Sequence, residues 1–177
     1  MAKLNREAMA TYLDTAWNSS VADVAKAVFE IIGDDIEEMS VELNPDIDQK
    51  KNILGQTKTQ DNGYEPSMDA DPFYANPETK LYPKIRDIAL GRLKGSACKT
   101  LMLEVIVEDT SEEAHLAYVR EVMVKPQSYG GGTEGLNFPF NVSEDGGSVK
   151  GTVTATSMKT GNPVFTADSA SGASLAI

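Results

Sequence analysis

The rhythm of apolar and polar positions changes along this chain, and each change predicts a different element. From residue 99 onward it is that of strands. Thr100 to Glu108 (TLMLEVIVE) is a continuous apolar run of strand length, and Leu116 to Val124 (LAYVREVMV) is a second, closed by Pro126. Leu136 to Val142 alternates most cleanly, with Leu136, Phe138, Phe140 and Val142 on one side and Asn137, Pro139 and Asn141 on the other. Pro139 offers no ladder donor, which places that strand at an edge or a bulge. Glu144-Asp145-Gly146-Gly147 reads as a hairpin turn, after which Val149 to Ala155 returns as a strand.

The first half is more mixed. Asn5 to Ala16 reads as a short helix, because Leu4, Met9 and Leu13 fall on one face. Val24 to Ile32 fits either helix or strand, and its end at Gly33-Asp34-Asp35 suits a buried strand closing in a turn. Ile36 to Leu43 predicts a half-buried strand, with Met39, Val41 and Leu43 opposing Glu38, Ser40 and Glu42. One helix is well marked: Leu81, Ile85, Ile88, Ala89 and Leu93 recur at helical spacing, and Pro83 fits its first turn. Asn76 or Thr79 would cap its start, and Gly95 would follow its end.

Between these regions lies a segment without a burying pattern, Asn44 to Pro83. Its apolar residues come in short clusters among polar residues and prolines, and forty such residues are uncommon inside a compact domain. The strongest turn signal within it is Asp61-Asn62-Gly63. The order of strands, one helix, then strands predicts a mainly β fold: a β-sandwich or open barrel with a flanking helix, a long loop and terminal arms. Residues 1–155 form one domain in this reading, with 44–83 as an extended loop or arm and the start of the helix. Residues 156–177, rich in Ser, Ala, Gly and Thr, form a flexible C-terminal arm.

Composition narrows the function. The 177 residues carry a formal net charge of −11, spread along the chain. That opposes direct binding to nucleic acid or to an anionic membrane. One cysteine, Cys98, excludes an internal disulfide and reads as a small buried group. No apolar run reaches membrane-span length, and the first residues lack the apolar core of a signal peptide, so a cytoplasmic, soluble product is expected.

Candidate chemistry is sparse. The one histidine, His115, lies in a polar stretch before a strand and reads as a solvated loop residue. One His and one Cys exclude the usual zinc ligand sets within one chain. Among the acidic pairs, Asp46/Asp48 lacks the rest of a calcium loop, and Asp69/Asp71 is the best metal candidate. Turns select Asp for backbone bonding anyway, so neither pair defines a metal site. Gly130-Gly131-Gly132 lacks the Lys-Ser/Thr ending of a phosphate loop. No catalytic residue and no cofactor is expected, which favours a structural or binding role.

Four stretches together resemble the major tail (tail tube) proteins of long-tailed bacteriophages. They are Gly33-Asp34-Asp35-Ile36-Glu37-Glu38-Met39; Asn44-Pro45-Asp46-Ile47-Asp48 through Lys51-Asn52-Ile53-Leu54-Gly55; Tyr64-Glu65-Pro66 leading to Asp71-Pro72-Phe73-Tyr74 and the helix; and Phe138-Pro139-Phe140-Asn141-Val142 with Gly151-Thr152-Val153-Thr154. The resemblance spans roughly residues 33–155. It implies a β-sandwich with a flanking helix and arms, six copies of which form a ring, the rings stacking into a hollow tube. It also implies a virion protein made in the host bacterial cytoplasm. Its partners would be copies of itself, a tape-measure protein, and terminator and baseplate proteins, with DNA passing through unbound.

On that reading Glu38, Glu42, Glu104 and Glu108 line the lumen, where they repel phosphates over about 8 Å at physiological ionic strength. Ile53, Leu54, Tyr64, Met68, Phe73 and Tyr74 form the arm between subunits. The alternative is a β-sandwich module binding carbohydrate or another ligand within a larger assembly. It requires an exposed aromatic platform.

Overall fold

A computed structural model describes residues 3–168. The strands are β1 (Met9–Asp14), β2 (Phe29–Ile32), β3 (Val41–Glu42), β4 (Pro45–Lys51), β5 (Thr57–Tyr64), β6 (Ser67–Ala70), β7 (Lys99–Ile106), β8 (Ala114–Pro126), β9 (Phe140–Thr154) and β10 (Phe165–Ala167). The helices are α1 (Leu81–Gly91) and α2 (Ala155–Lys159), with short 3-10 segments at Arg6–Ala8, Val21–Lys26 and Gly95–Cys98. Eight strands make one curled antiparallel half-barrel in the order β2-β1-β7-β8-β9-β6-β3, with β10 added to the far half of β9. Strands β4 and β5 pair only with each other. The mainly β expectation therefore holds.

Both faces of the sheet are covered, and this explains the continuous apolar runs of β7 and β8. Side chains alternate across a strand. Leu13, Met102, Val122, Val124, Phe140 and Val142 pack on one face, under α1. Tyr12, Leu101, Leu103, Val105, Ala117, Val119 and Val153 pack on the other. There Val21 and Val24 of the 3-10 segment, Met158 of α2 and Phe165 of β10 cover them. Helix α1 buries Leu81, Ile85 and Ile88, each contributing about 1.5–3 kcal/mol.

Several expectations give way to contacts made at long range. Residues 9–14 are a strand, not a helix, because Leu13 and Tyr12 each meet a separate core. Residues 33–40 are mostly loop, and only Val41–Glu42 pairs, with β6. The turn of the long hairpin is Asn52–Gln56, where the Asn52 carboxamide oxygen accepts from the amides of Leu54 and Gln56, both at 3.0 Å. Asp61-Asn62-Gly63 lies inside β5. Glu144–Gly147 is a bulge within one long strand. It forms around the Glu121 carboxylate, which accepts from the amides of Gly147 at 2.8 Å and Val21 at 2.9 Å.

Helix α1 starts at Leu81 with the expected Thr79 hydroxyl accepting from the Tyr82 amide at 3.4 Å, and Glu30 of β2 adds a distant cap, accepting from the amides of Lys80 (2.9 Å) and Leu81 (3.4 Å). A carboxylate there also opposes the positive end of the helix dipole. The helix closes on Arg92 in the left-handed region, not on Gly95. Leu136 is exposed, while Phe138, Phe140 and Val142 are buried as expected. Residues 155–167 form α2 and β10 against β9; the part of the expected C-terminal arm from 169 to 177 lies outside the described residues.

Candidate functional site

The segment 44–83 divides into two parts of different character. Residues 45–64 form the β4–β5 hairpin, almost all exposed, which projects roughly 26 Å at about 3.3 Å per residue of β5. Its tip presents Ile53, fully exposed, and Leu54 at 76% exposure, and Tyr64 is exposed at its base. Residues 65–83 belong to the body instead. Met68 is 3% exposed, paired with Val142 on β9 and inside the α1-side core, so it is core and not arm. Phe73 packs edge-on against Phe140, with ring centroids 5.2 Å apart. The Tyr74 hydroxyl donates to Glu134 at 3.2 Å, and this residue too lies against the body. Of the six proposed arm residues, the hairpin carries Ile53, Leu54 and Tyr64.

The four proposed lumen carboxylates fall on different elements. Glu38 is exposed in the 33–40 loop, Glu42 is exposed on β3, and Glu108 is exposed in the loop after β7. Glu104 is different. It sits on β7 beside Arg120 of β8, whose Nε donates to it at 2.6 Å and lies 3.4 Å from Glu144 of β9. The guanidinium rests 4.9 Å above the Tyr118 ring. One cation is thus shared by two carboxylates in a row across three neighbouring strands. Burial, helped by the charge of Glu104, pushes the Glu144 carboxyl above its usual range, while Arg120 partly offsets this.

A groove runs between β1–β2 and the 33–43 segment. One part, of about 400 Å³, is lined by Met9, Ile31, Ile32, Ile36 and Met39, with Glu7 and Glu37 also lining it. It continues past Val41 and Leu43 to Met68. Arg6 crosses it, donating to the carbonyls of Met9 and Met39, both at 3.0 Å, and so ties the loop to β1.

The other singled-out residues have structural settings. His115 is the second residue of β8 and only 7% exposed, facing the same side as Ala117 and Val119; it is buried, not a solvated loop residue. Cys98 is fully buried and donates to the Leu93 carbonyl at 3.3 Å. Asp69 accepts from Asn141 at 2.9 Å, and Asp71 from Asn137 at 3.2 Å, so the two carboxylates serve different cross-strand amides. Among the described residues no cluster of three or more His, Cys, Asp or Glu side chains is arranged to hold a metal ion. No described helix is long and apolar enough to cross a membrane.

The sequence reading missed Asp14, which is completely buried at the end of β1. Its carboxylate accepts from the amides of Ala16 (2.8 Å), Asn18 (2.9 Å) and Val28 (3.0 Å) and from the Asn18 side chain (2.8 Å). Asp14-Thr15-Ala16 lies inside the stretch read as helical, which concealed its role.

The class these features define is a mainly β protein: a curled antiparallel half-barrel whose edges at β2 and β3 are unpaired among the described residues, with α1 on one face and a projecting hairpin. No protein-family profile matches the chain, and no curated protein sequence matches it.

Proposed function

We propose that this chain is a structural protein that assembles with copies of itself into stacked six-membered rings, building the hollow tail tube of a long-tailed bacteriophage. The observation that carries this reading is the β4–β5 hairpin. Twenty residues leave the body, bury almost nothing, and end in Ile53 and Leu54. A two-stranded hairpin alone is marginal in water, so an apolar tip of this kind gains its order from a partner. Among the described residues the half-barrel leaves its edges at β2 and β3 unpaired, and neighbours in a ring remove such edges. The sequence resemblance over residues 33–155 adds to both.

On this reading the protein resides in the virion tail, its partners are its own copies together with tape-measure, terminator and baseplate proteins, and DNA passes without specific binding. Exposed Glu38, Glu42 and Glu108 are free to face a lumen, whereas Glu104 is half-buried against Arg120, which it shares with Glu144, and contributes less to any repulsive wall.

The test is the double substitution Ile53→Ser with Leu54→Ser. Neither side chain packs within its own copy, so the folded monomer keeps its stability to within about 0.5 kcal/mol. Sedimentation of the assembled fraction is expected to fall at least tenfold. A variant that assembles like the parent would remove the hairpin as the argument for this function.

A further inference from the structure

Charge divides this chain unevenly at two exposed places. The outer part of the hairpin, residues 49–59, carries Lys50, Lys51 and Lys58 and no acid. All three are exposed, and none takes part in an ion pair among the described residues. The segment 34–42 carries Asp34, Asp35, Glu37, Glu38 and Glu42 and no base, again all exposed. That segment forms the outer wall of the groove floored by Met9, Ile32 and Met39. A basic cluster flanking an apolar tip therefore matches an acidic segment flanking an apolar groove, which Glu37 and Glu7 line directly. Ile31, 60% exposed at the groove, offers the tip an apolar contact.

We infer that the hairpin tip of one copy docks into the β1–β2 groove of a second copy. Ile53 and Leu54 enter the groove, and the lysines pair with the acidic rim. The inference rests on the self-assembly reading above and names the receiving surface. The tip is not seated in its own groove, because Ile53 is fully exposed and β4 and β5 pair with each other alone. The contact adds a cationic cluster to an acidic one, so it weakens as salt screens charge: the Debye length falls from about 10 Å at 0.1 M to about 3 Å at 1 M. Among the described residues Arg6 is the one cation lining the groove, and two of its N–H groups are held by the carbonyls of Met9 and Met39.

The test mixes two full-length variants, Leu54→Cys and Ile31→Cys, under mild oxidation. A disulfide between unlike chains is expected in at least fivefold excess over that formed by Leu54→Cys with Val164→Cys, an exposed control position away from the groove. Its yield is expected to drop several-fold between 0.1 M and 1 M salt. Charge reversal by Lys50→Glu with Lys51→Glu should abolish cross-linking, and combining it with Glu37→Lys and Glu38→Lys on the other chain should restore it. Cross-linking no better than the control, or no restoration, overturns the assignment. Electron microscopy of the parent protein separates the two ideas. Rings or tubes without this cross-link leave the tube reading standing and remove the groove as receptor. The cross-link without rings or tubes supports the contact and removes the tube.

Discussion

Replacing Asp14 with alanine tests the organisation of the whole N-terminal edge. The carboxylate is fully buried and holds three backbone amides, those of Ala16, Asn18 and Val28, along with the Asn18 side chain. It thereby fastens the end of β1 to the start of β2, while its own carbonyl accepts from Thr100 on β7 at 2.8 Å. In Asp14→Ala the three amides lose their acceptor. A buried unsatisfied donor costs about 1–3 kcal/mol; Ala16, exposed, takes the low end, and Asn18 and Val28, only partly buried, take about 1–2 each. The total is about 3–5 kcal/mol. For a chain of this size that lowers Tm by roughly 6–20 °C. Asn18→Ala removes one donor and leaves the carboxylate in place, so its cost is about 1 kcal/mol. Urea unfolding followed by far-ultraviolet circular dichroism measures both. An Asp14→Ala protein within 1 kcal/mol of the parent, or one no worse than Asn18→Ala, would refute the role given to this carboxylate.

Two further outcomes follow from other parts of the fold. Burial raises the Glu144 carboxyl in the folded state, so its contribution to stability is largest below the ordinary carboxylate range and is lost as pH rises through the raised value. Glu144→Gln should therefore gain on the parent at pH 7 and lose that advantage by about pH 4; a difference independent of pH would contradict it. At Gly151 on β9, an added Cβ would meet the Thr166 carbonyl and lie 2.6 Å from the Phe165 ring. Gly151→Ala should displace β10, costing about 1–3 kcal/mol, and limited proteolysis should then cut residues 160–168 faster. Unchanged cleavage would show that β10 tolerates the methyl group.

What could be read from the sequence follows the range of the forces involved. β7, β8 and α1 declared themselves because burial on one or both faces writes a local pattern. β1 did not: Leu4, Met9 and Leu13 match helical spacing by coincidence, while the strand is set by cores on opposite faces of a sheet. Thr79 was legible as a cap of α1, but the second cap comes from Glu30, fifty residues away, and the bulge at Gly146–Gly147 from Glu121 on the neighbouring strand. Neither partner is visible within a local window. Asn52 and Gly55 did carry a turn signal, yet Asp61-Asn62-Gly63 is the stronger motif and masked it. For the candidate site, the lack of a burying pattern located the projecting segment but not its inner limit. Met68 and Phe73 look like arm anchors in a polar stretch, and only pairing with β9 and packing on Phe140 place them in the core.

Negative-stain electron microscopy of the purified full-length protein at rising concentration, with sedimentation on the same samples, is the decisive measurement of assembly into a tube. Six-fold rings or hollow tubes are expected, their abundance rising with concentration and falling with Ile53→Ser and Leu54→Ser. Closed, non-tubular oligomers, or a monomer that never associates even when supplied with preformed tube ends, would contradict it.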